Sequence, residues 1–190
     1  MNKRILILCE AIAPPAYSPR IITLVEWLQA NGWNCEIATE RDNDTVWNST
    51  ACKTHQMPTY RHLVADKLLG AKEKAFAKYI QQHTDVASFD LIFCGSYYYF
   101  PLQAAKYLAK KYQLPLVVDL RDITEQWGKL DYYTRRFTGI RYIDSIAKGL
   151  YTYINTLNRN RVLRNATAVT TGSPRPQHTV ARDNPNPHLL

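Results

Sequence analysis

Apolar residues in this chain come in short unbroken runs, not in alternation with polar ones. RILILC (4–9), CEIAT (35–39), LIFC (91–94), LPLVVDL (114–120) and ATAVTT (166–171) share this character. Runs of that length predict strands buried on both faces. Between them the period lengthens. Ile21, Leu24, Val25 and Leu28 fall on one stripe, so residues 19–31 are expected to be a helix. Ser18 suits its N-cap, Pro19 its first helical position, and Gly32 the place just past its end. A second helix is expected over 100–113, and Ser173-Pro174 repeats a capped helix start. Strands alternating with helices predict an α/β fold: a doubly wound, mainly parallel, Rossmann-like sheet with helices on both faces, in one domain over 1–190. Such sheets bind ligands at the carboxyl ends of their strands.

Residues 130–164 break the short-element pattern. Ile140, Ile143, Ala147, Leu150, Ile154 and Leu157 make a helical seam, with Gly139 and Gly149 leaving room for two helices or a kink. Segment 129–164 carries eight cations against Asp131 and Asp144, and so +6 of the chain's formal +8. Tyrosines and Phe137 interleave with these charges. Two readings stand: a helix on the sheet with a solvated basic face, or contact with an anionic membrane. The tail ends on Leu189-Leu190, as though another strand begins there.

The chain of 190 residues is long enough for one sizeable core. Its positive balance favours anionic partners such as phosphates, nucleotide sugars, nucleic acid or an acidic membrane surface. Cys9, Cys35, Cys52 and Cys94 form no C-x-x-C pair, and the first, second and fourth lie in or beside strand runs. They read as reduced thiols of a cytoplasmic protein. The opening MNKRILILCEAIAPP breaks at Glu10 and meets two prolines, which favours a strand over a signal peptide.

The chemistry concentrates where strands end. The first strand-to-helix loop lacks G-x-G-x-x-G, and no glycine precedes Gly32, which disfavours a nicotinamide or flavin enzyme. It still aims a helix N-terminus, with Arg20 in its first turn, at the cleft, a geometry suited to an anion. After LPLVV come Asp119, Arg121 and Asp122; Arg121 is either a structural partner of these aspartates or part of a site. Asp42-Asn43-Asp44 reads as a polar turn rather than a metal cage, and no metal is expected. In GSYYYFP (95–101), Gly95 and Ser96 are expected in a loop that approaches a ligand. The aromatics there either pave a binding platform or pack the next helix.

Taken in order, these pieces resemble the N-terminal, acceptor-side domain of a family-4, GT-B-fold glycosyltransferase. The resemblance lies in KRILILCEAIAPPAYSPRIITLVEWLQANGWNCEIAT, in FDLIFCGSYYYFPLQAAKYLAKKYQLPLVVDLRD and in RNATAVTTGSP, and runs over residues 3 to 190. It implies an enzyme of polysaccharide biosynthesis that moves a sugar with retention from a nucleotide sugar to a glycan or lipid-linked acceptor, without metal or other cofactor. The nucleotide sugar would be bound mainly by a C-terminal domain bearing E-x7-E. That spacing does not occur here, so this chain alone is expected to fold but not turn over.

The resemblance also implies roles. Tyr17, Ser18 and Arg20 fall where the family's first loop nears the donor phosphates, although Tyr17-Ser18-Pro19-Arg20 replaces its usual Gly-Gly pair. Arg121 and Asp122 stand where many relatives carry a sugar-contacting histidine. Asp122 is the candidate hydrogen-bond acceptor or general base, and Arg121 the stabiliser of phosphate charge. Gly95, Ser96, Tyr97, Tyr98 and Trp127 are the candidate acceptor contacts. The rival reading is a non-enzymatic basic α/β module binding nucleotides or nucleic acid, although no nucleic-acid motif appears.

Overall fold

The computed structural model describes residues 3–10, 19–40, 52–60, 70–96, 99–120, 141–171, 184 and 187–189. Within them seven strands form one parallel sheet: β1 (Lys3–Cys9), β2 (Trp33–Glu40), β3 (Lys53–Met57), β4 (Leu91–Ser96), β5 (Leu116–Leu120), β6 (Ala168–Thr171) and β7 (Pro187–Leu189). Their spatial order is β3-β2-β1-β4-β5-β6-β7. Every neighbouring pair is parallel. The described helices are α1 (Pro19–Ala30), α2 (Ala71–His83), α3 (Leu102–Tyr112) and α4 (Arg141–Asn165), with a 3-10 turn at Val86–Ser88.

The period-2 geometry of strands sorts the apolar runs into two cores. Ile5, Ile7, Cys35, Ile37 and Phe93 point to one face, where Ile21, Val25 and Leu28 of α1 cover them. Leu6, Leu8, Ile92, Val118 and Val169 point to the other, beneath α2, α3 and the end of α4. The sheet is therefore doubly wound, as its sequence pattern predicts. Between β1 and β4 the chain changes direction of travel across the sheet. That is the switch point beside which such sheets hold ligands.

Local signals explain several boundaries. Gly32 lies just past α1 at φ 80, a conformation that suits glycine and closes the helix. Glu73 of α2 accepts hydrogen bonds from the Gln103 and Ala104 amides, satisfying otherwise orphaned donors at the start of α3. The Asn184 amide donates to the Leu163 and Ala166 carbonyls and so closes the end of α4.

Two elements escape the hydrophobic pattern. β3 reads KTHQM, yet His55 and Gln56 are buried. His55 bonds to Glu36 of β2 at 2.8 Å, a charged partner that makes its burial tolerable. Helix α2, AKEKAFAKYIQQH, buries Phe76, Ala77 and Ile80 beneath a strongly polar surface.

The region read as 130–164 needs correcting. α4 runs as one helix from Arg141 to Asn165, so Gly149 does not divide it in two, while Gly139 lies outside the described residues. The seam is not its packing face either. Ile143, Leu150, Ile154 and Leu157 are exposed, while Val162 and Leu163 are buried. Arg159, expected among the solvated cations, is buried too, its guanidinium donating to the Asn160 side chain. Ile140 and Ser173-Pro174 lie outside the described residues.

Candidate functional site

The carboxyl edge of the sheet near the switch point is built from three neighbouring strands and the first turn of α1. Gly95, Asp119 and Thr170 stand side by side in register across β4, β5 and β6. They share a face with Phe93 and Val117, the face that α1 covers. Asp119 is 2% exposed. A buried carboxylate requires compensation, and two donors supply it. Arg20 Nη2 donates to Asp119 Oδ1 at 3.2 Å, and Thr170 Oγ1 donates to the same oxygen at 2.9 Å.

Gly95 lets α1 come close to β4 through Ile21. A Cβ built at position 95 would stand 2.8 Å from Ile21 Cδ1. Without a side chain there, Ile21 settles directly on β4, and its neighbour Arg20 reaches the next strand. Gly95 and Ser96 do not lie in a loop, as the sequence suggests; they are the last two residues of β4. Ser96 is fully buried, and its hydroxyl donates to the Phe100 carbonyl at 3.2 Å. It sits at the same edge as Arg20 but on the opposite face, where it ties down the turn into α3. Phe100 packs its ring against Phe76 at 4.9 Å, the packing role rather than the platform role.

Asp119 is the residue that sequence reasoning undervalues, because its nearest cation in the chain is Arg121. The available signal is its place in the strand: a lone carboxylate in a buried run needs a cation from elsewhere. Arg20, half-exposed, is that cation. One edge of its guanidinium is held by Asp119, and the planar fork has further donors for an anion at the cleft. Asp119 itself, buried and doubly bonded, orients this group and is no free base. Tyr17, Ser18, Tyr97, Tyr98, Arg121, Asp122, Trp127 and the Asp42–Asp44 stretch lie outside the described residues.

The remaining reactive groups are structural. The four cysteines are free thiols, three of them buried. Burial and neighbouring Cys52 push the Cys35 thiol up to about 11. Burial, Glu73, Cys9 and Asp119 push Cys94 well above the ordinary thiol value. Both are therefore poor nucleophiles. Among the described residues no cluster of three His, Cys, Asp or Glu is placed to hold a metal.

A second polar cluster joins the amino ends of β1, β2 and β3. Glu36 accepts from Arg4 at 2.9 Å and Thr84 at 3.2 Å, bonds to His55 at 2.8 Å and lies 3.6 Å from Lys53. Burial opposes its ionisation, yet His55, Lys53 and Arg4 together hold its carboxyl below the ordinary range. It lies at the opposite end from the strands' carboxyl edge, so it fastens the fold.

No family model matches the chain, and no curated protein sequence does. Solved structures do resemble it. Sucrose-phosphate synthase from Thermosynechococcus elongatus aligns over 98% of this chain and 87% of that one, at TM-score 0.54 and 15% identity. Anabaena Alr3699/HepE in complex with UDP and glucose aligns over 99% of this chain and 44% of that one, at TM-score 0.61 and 12% identity. CalG4, the calicheamicin glycosyltransferase, aligns over 92% and 49%, at 0.55 and 13%. The chain thus spans about half the length of the latter two. At such identities the likeness is one of fold, and that fold is the Rossmann-like α/β architecture of GT-B glycosyltransferases.

Proposed function

We propose that this chain is the acceptor-side, N-terminal domain of a retaining, family-4-like GT-B glycosyltransferase. The observation that carries the reading is Arg20, anchored by buried Asp119 at the carboxyl edge of a doubly wound sheet. The solved structures with this fold support it. One of them, Anabaena Alr3699/HepE, was solved in complex with UDP and glucose, which fits a nucleotide-sugar donor here.

In this reading the bond from the sugar's anomeric carbon to the diphosphate breaks, and a bond to an acceptor hydroxyl oxygen forms on the same face. The nucleoside diphosphate leaves, and the hydroxyl proton is lost to a base or to the departing phosphate. Arg20, with Tyr17 and Ser18 beside it in the chain, neutralises the donor phosphates. Arg121 and Asp122, which follow β5 directly, take the charge-stabilising and proton-accepting roles at the acceptor. Tyr97, Tyr98 and Trp127 belong to the acceptor side, while Gly95 and Ser96, the buried end of β4, support that edge without touching the acceptor. The acceptor is a glycan or a lipid-linked sugar, the donor is held mainly by a second domain, and no metal is needed.

Saturation-transfer NMR with a panel of nucleotide sugars and oligosaccharides tests this. The expected result is transfer to at least one nucleotide sugar or glycan, with the nucleotide signal weakened by Arg20→Ala. Silence across both panels, with salt-sensitive DNA binding instead, would overturn it in favour of a nucleic-acid module.

A further inference from the structure

Cys35 and Cys52 are neighbours in the sheet. β2 and β3 run parallel with Glu36 opposite Lys53, and one residue earlier the same register sets Cys35 opposite Cys52. Side chains alternate along a strand, so both thiols leave the sheet on one face. Their packing agrees: Cys35 is buried in the core beneath α1, and half-buried Cys52 packs against the same cluster. They are close enough for Cys52 to help raise the Cys35 thiol.

The other two cysteines are not placed this way. Cys94 stands opposite Leu8 and Cys9 opposite Gly95, so these two thiols point to opposite faces. Cys9 shares the face of Cys35, but Ile5 is the residue opposite Cys35, and Cys9 lies about 13 Å further along β1. Neighbouring strands are about 4.8 Å apart, within the Cα separation of about 4.4–6.8 Å that a disulfide spans. A disulfide also sets its Cβ atoms about 3.8 Å apart, so closure has to draw the two strands together by roughly 1 Å. Among the described residues β3 is the outermost strand, with β2 as its one neighbour in the sheet, and so is the strand able to give. A bridge made under such tension is easily reduced again.

We propose that Cys35 and Cys52 form a reversible redox pair, oxidised by a low-molecular-weight disulfide to a bridge that fastens the edge strand β3 to β2. The chemistry is two successive thiol–disulfide exchanges. The thiolate of half-exposed Cys52 attacks one sulfur of the small disulfide, whose S–S bond breaks as a small thiolate leaves. The Cys35 thiolate then attacks Cys52 Sγ in the mixed disulfide and expels the second small thiolate. Two protein thiols have given up two electrons and two protons, and the small disulfide has become two thiols. Cys35 is a poor nucleophile toward solvent, but capping Cys52 removes one of the two causes that hold its proton. Adjacency adds a high effective concentration. In the reduced protein both thiols serve only to pack. The inference stands apart from sugar transfer, because the bridge is read with no donor or acceptor present.

The test is to incubate the folded 190-residue chain with glutathione disulfide, block remaining thiols with N-ethylmaleimide, and map tryptic peptides by mass spectrometry. The expected product has lost the mass of two hydrogen atoms and joins peptide 21–41 to peptide 42–53, and dithiothreitol restores both thiols. Cys35→Ala should halt the reaction at a glutathione adduct on Cys52. Cys52→Ser, at a half-buried position, should slow oxidation of Cys35 at least about tenfold. The wild-type peptide map decides the matter even where a variant fails to fold. Thiols that stay reduced, a wild-type adduct on Cys52 that never resolves, or a bridge through Cys9 or Cys94 would overturn the proposal.

Discussion

Arg20 and Asp119 lie 99 residues apart in the chain and meet at 3.2 Å where α1 begins and β5 ends. The carboxylate is buried and the guanidinium half-exposed, so the pair joins the interior to the cleft. A double-mutant cycle with Arg20→Ala and Asp119→Asn should give a coupling free energy of about 1–2 kcal/mol by urea denaturation. Additive effects would mean that the contact is absent in solution.

A side chain at position 95 has to displace Ile21 Cδ1, the far end of a buried side chain. Gly95→Ala is expected to cost about 1–3 kcal/mol through overpacking. Ile21→Val alone should cost about 1 kcal/mol. Combined, the two should cost less than their sum, because removing Cδ1 opens the space that a methyl group at position 95 would need. Thermal denaturation of the wild type, the two single variants and the double variant checks this.

The length of α4 should show in its energetics. Leu163→Ala, in the buried last turns, is expected to cost about 2–4 kcal/mol. Leu150→Ala, at an exposed position of the same helix, should stay within about 0.5 kcal/mol of the wild type. Similar losses at both positions would show that Leu150 is packed as Leu163 is.

Glu36 sets an acid limit on stability. Its folded-state pKa is lowered, so its ionised form stabilises the fold above the ordinary value of 4.5, and that contribution is lost as pH falls through the folded value. Glu36→Gln should cost about 1–3 kcal/mol near neutral pH. Its stability should then fall less steeply than the wild type's in acid, as read from urea midpoints at a series of pH values.

How much of the fold is legible in the sequence depends on where each signal is stored. Unbroken apolar runs such as RILILC and LIFC, with Pro19 and Gly32 around the helical stripe of α1, carry their meaning locally, so the doubly wound sheet follows from them. β3 and α2 leave no such trace because their burial rests on partners elsewhere: His55 is acceptable inside only because Glu36 is on the next strand. In α4, helical spacing marks an apolar stripe correctly but does not say whether anything covers it. Periodicity reports which side chains share a face, whereas neighbours decide whether that face is buried.

The site divides in the same way. The order of residues is enough to place charge after β5 and a cation at the start of α1, because both follow from where strands stop and helices start. That Asp119 belongs to Arg20, that Ile21 lies close over Gly95, and that Ser96 turns to the far side of the sheet came from the fold. Those relations are set by strand register and by helix-to-sheet distance, which arise only when segments remote in sequence are brought into contact.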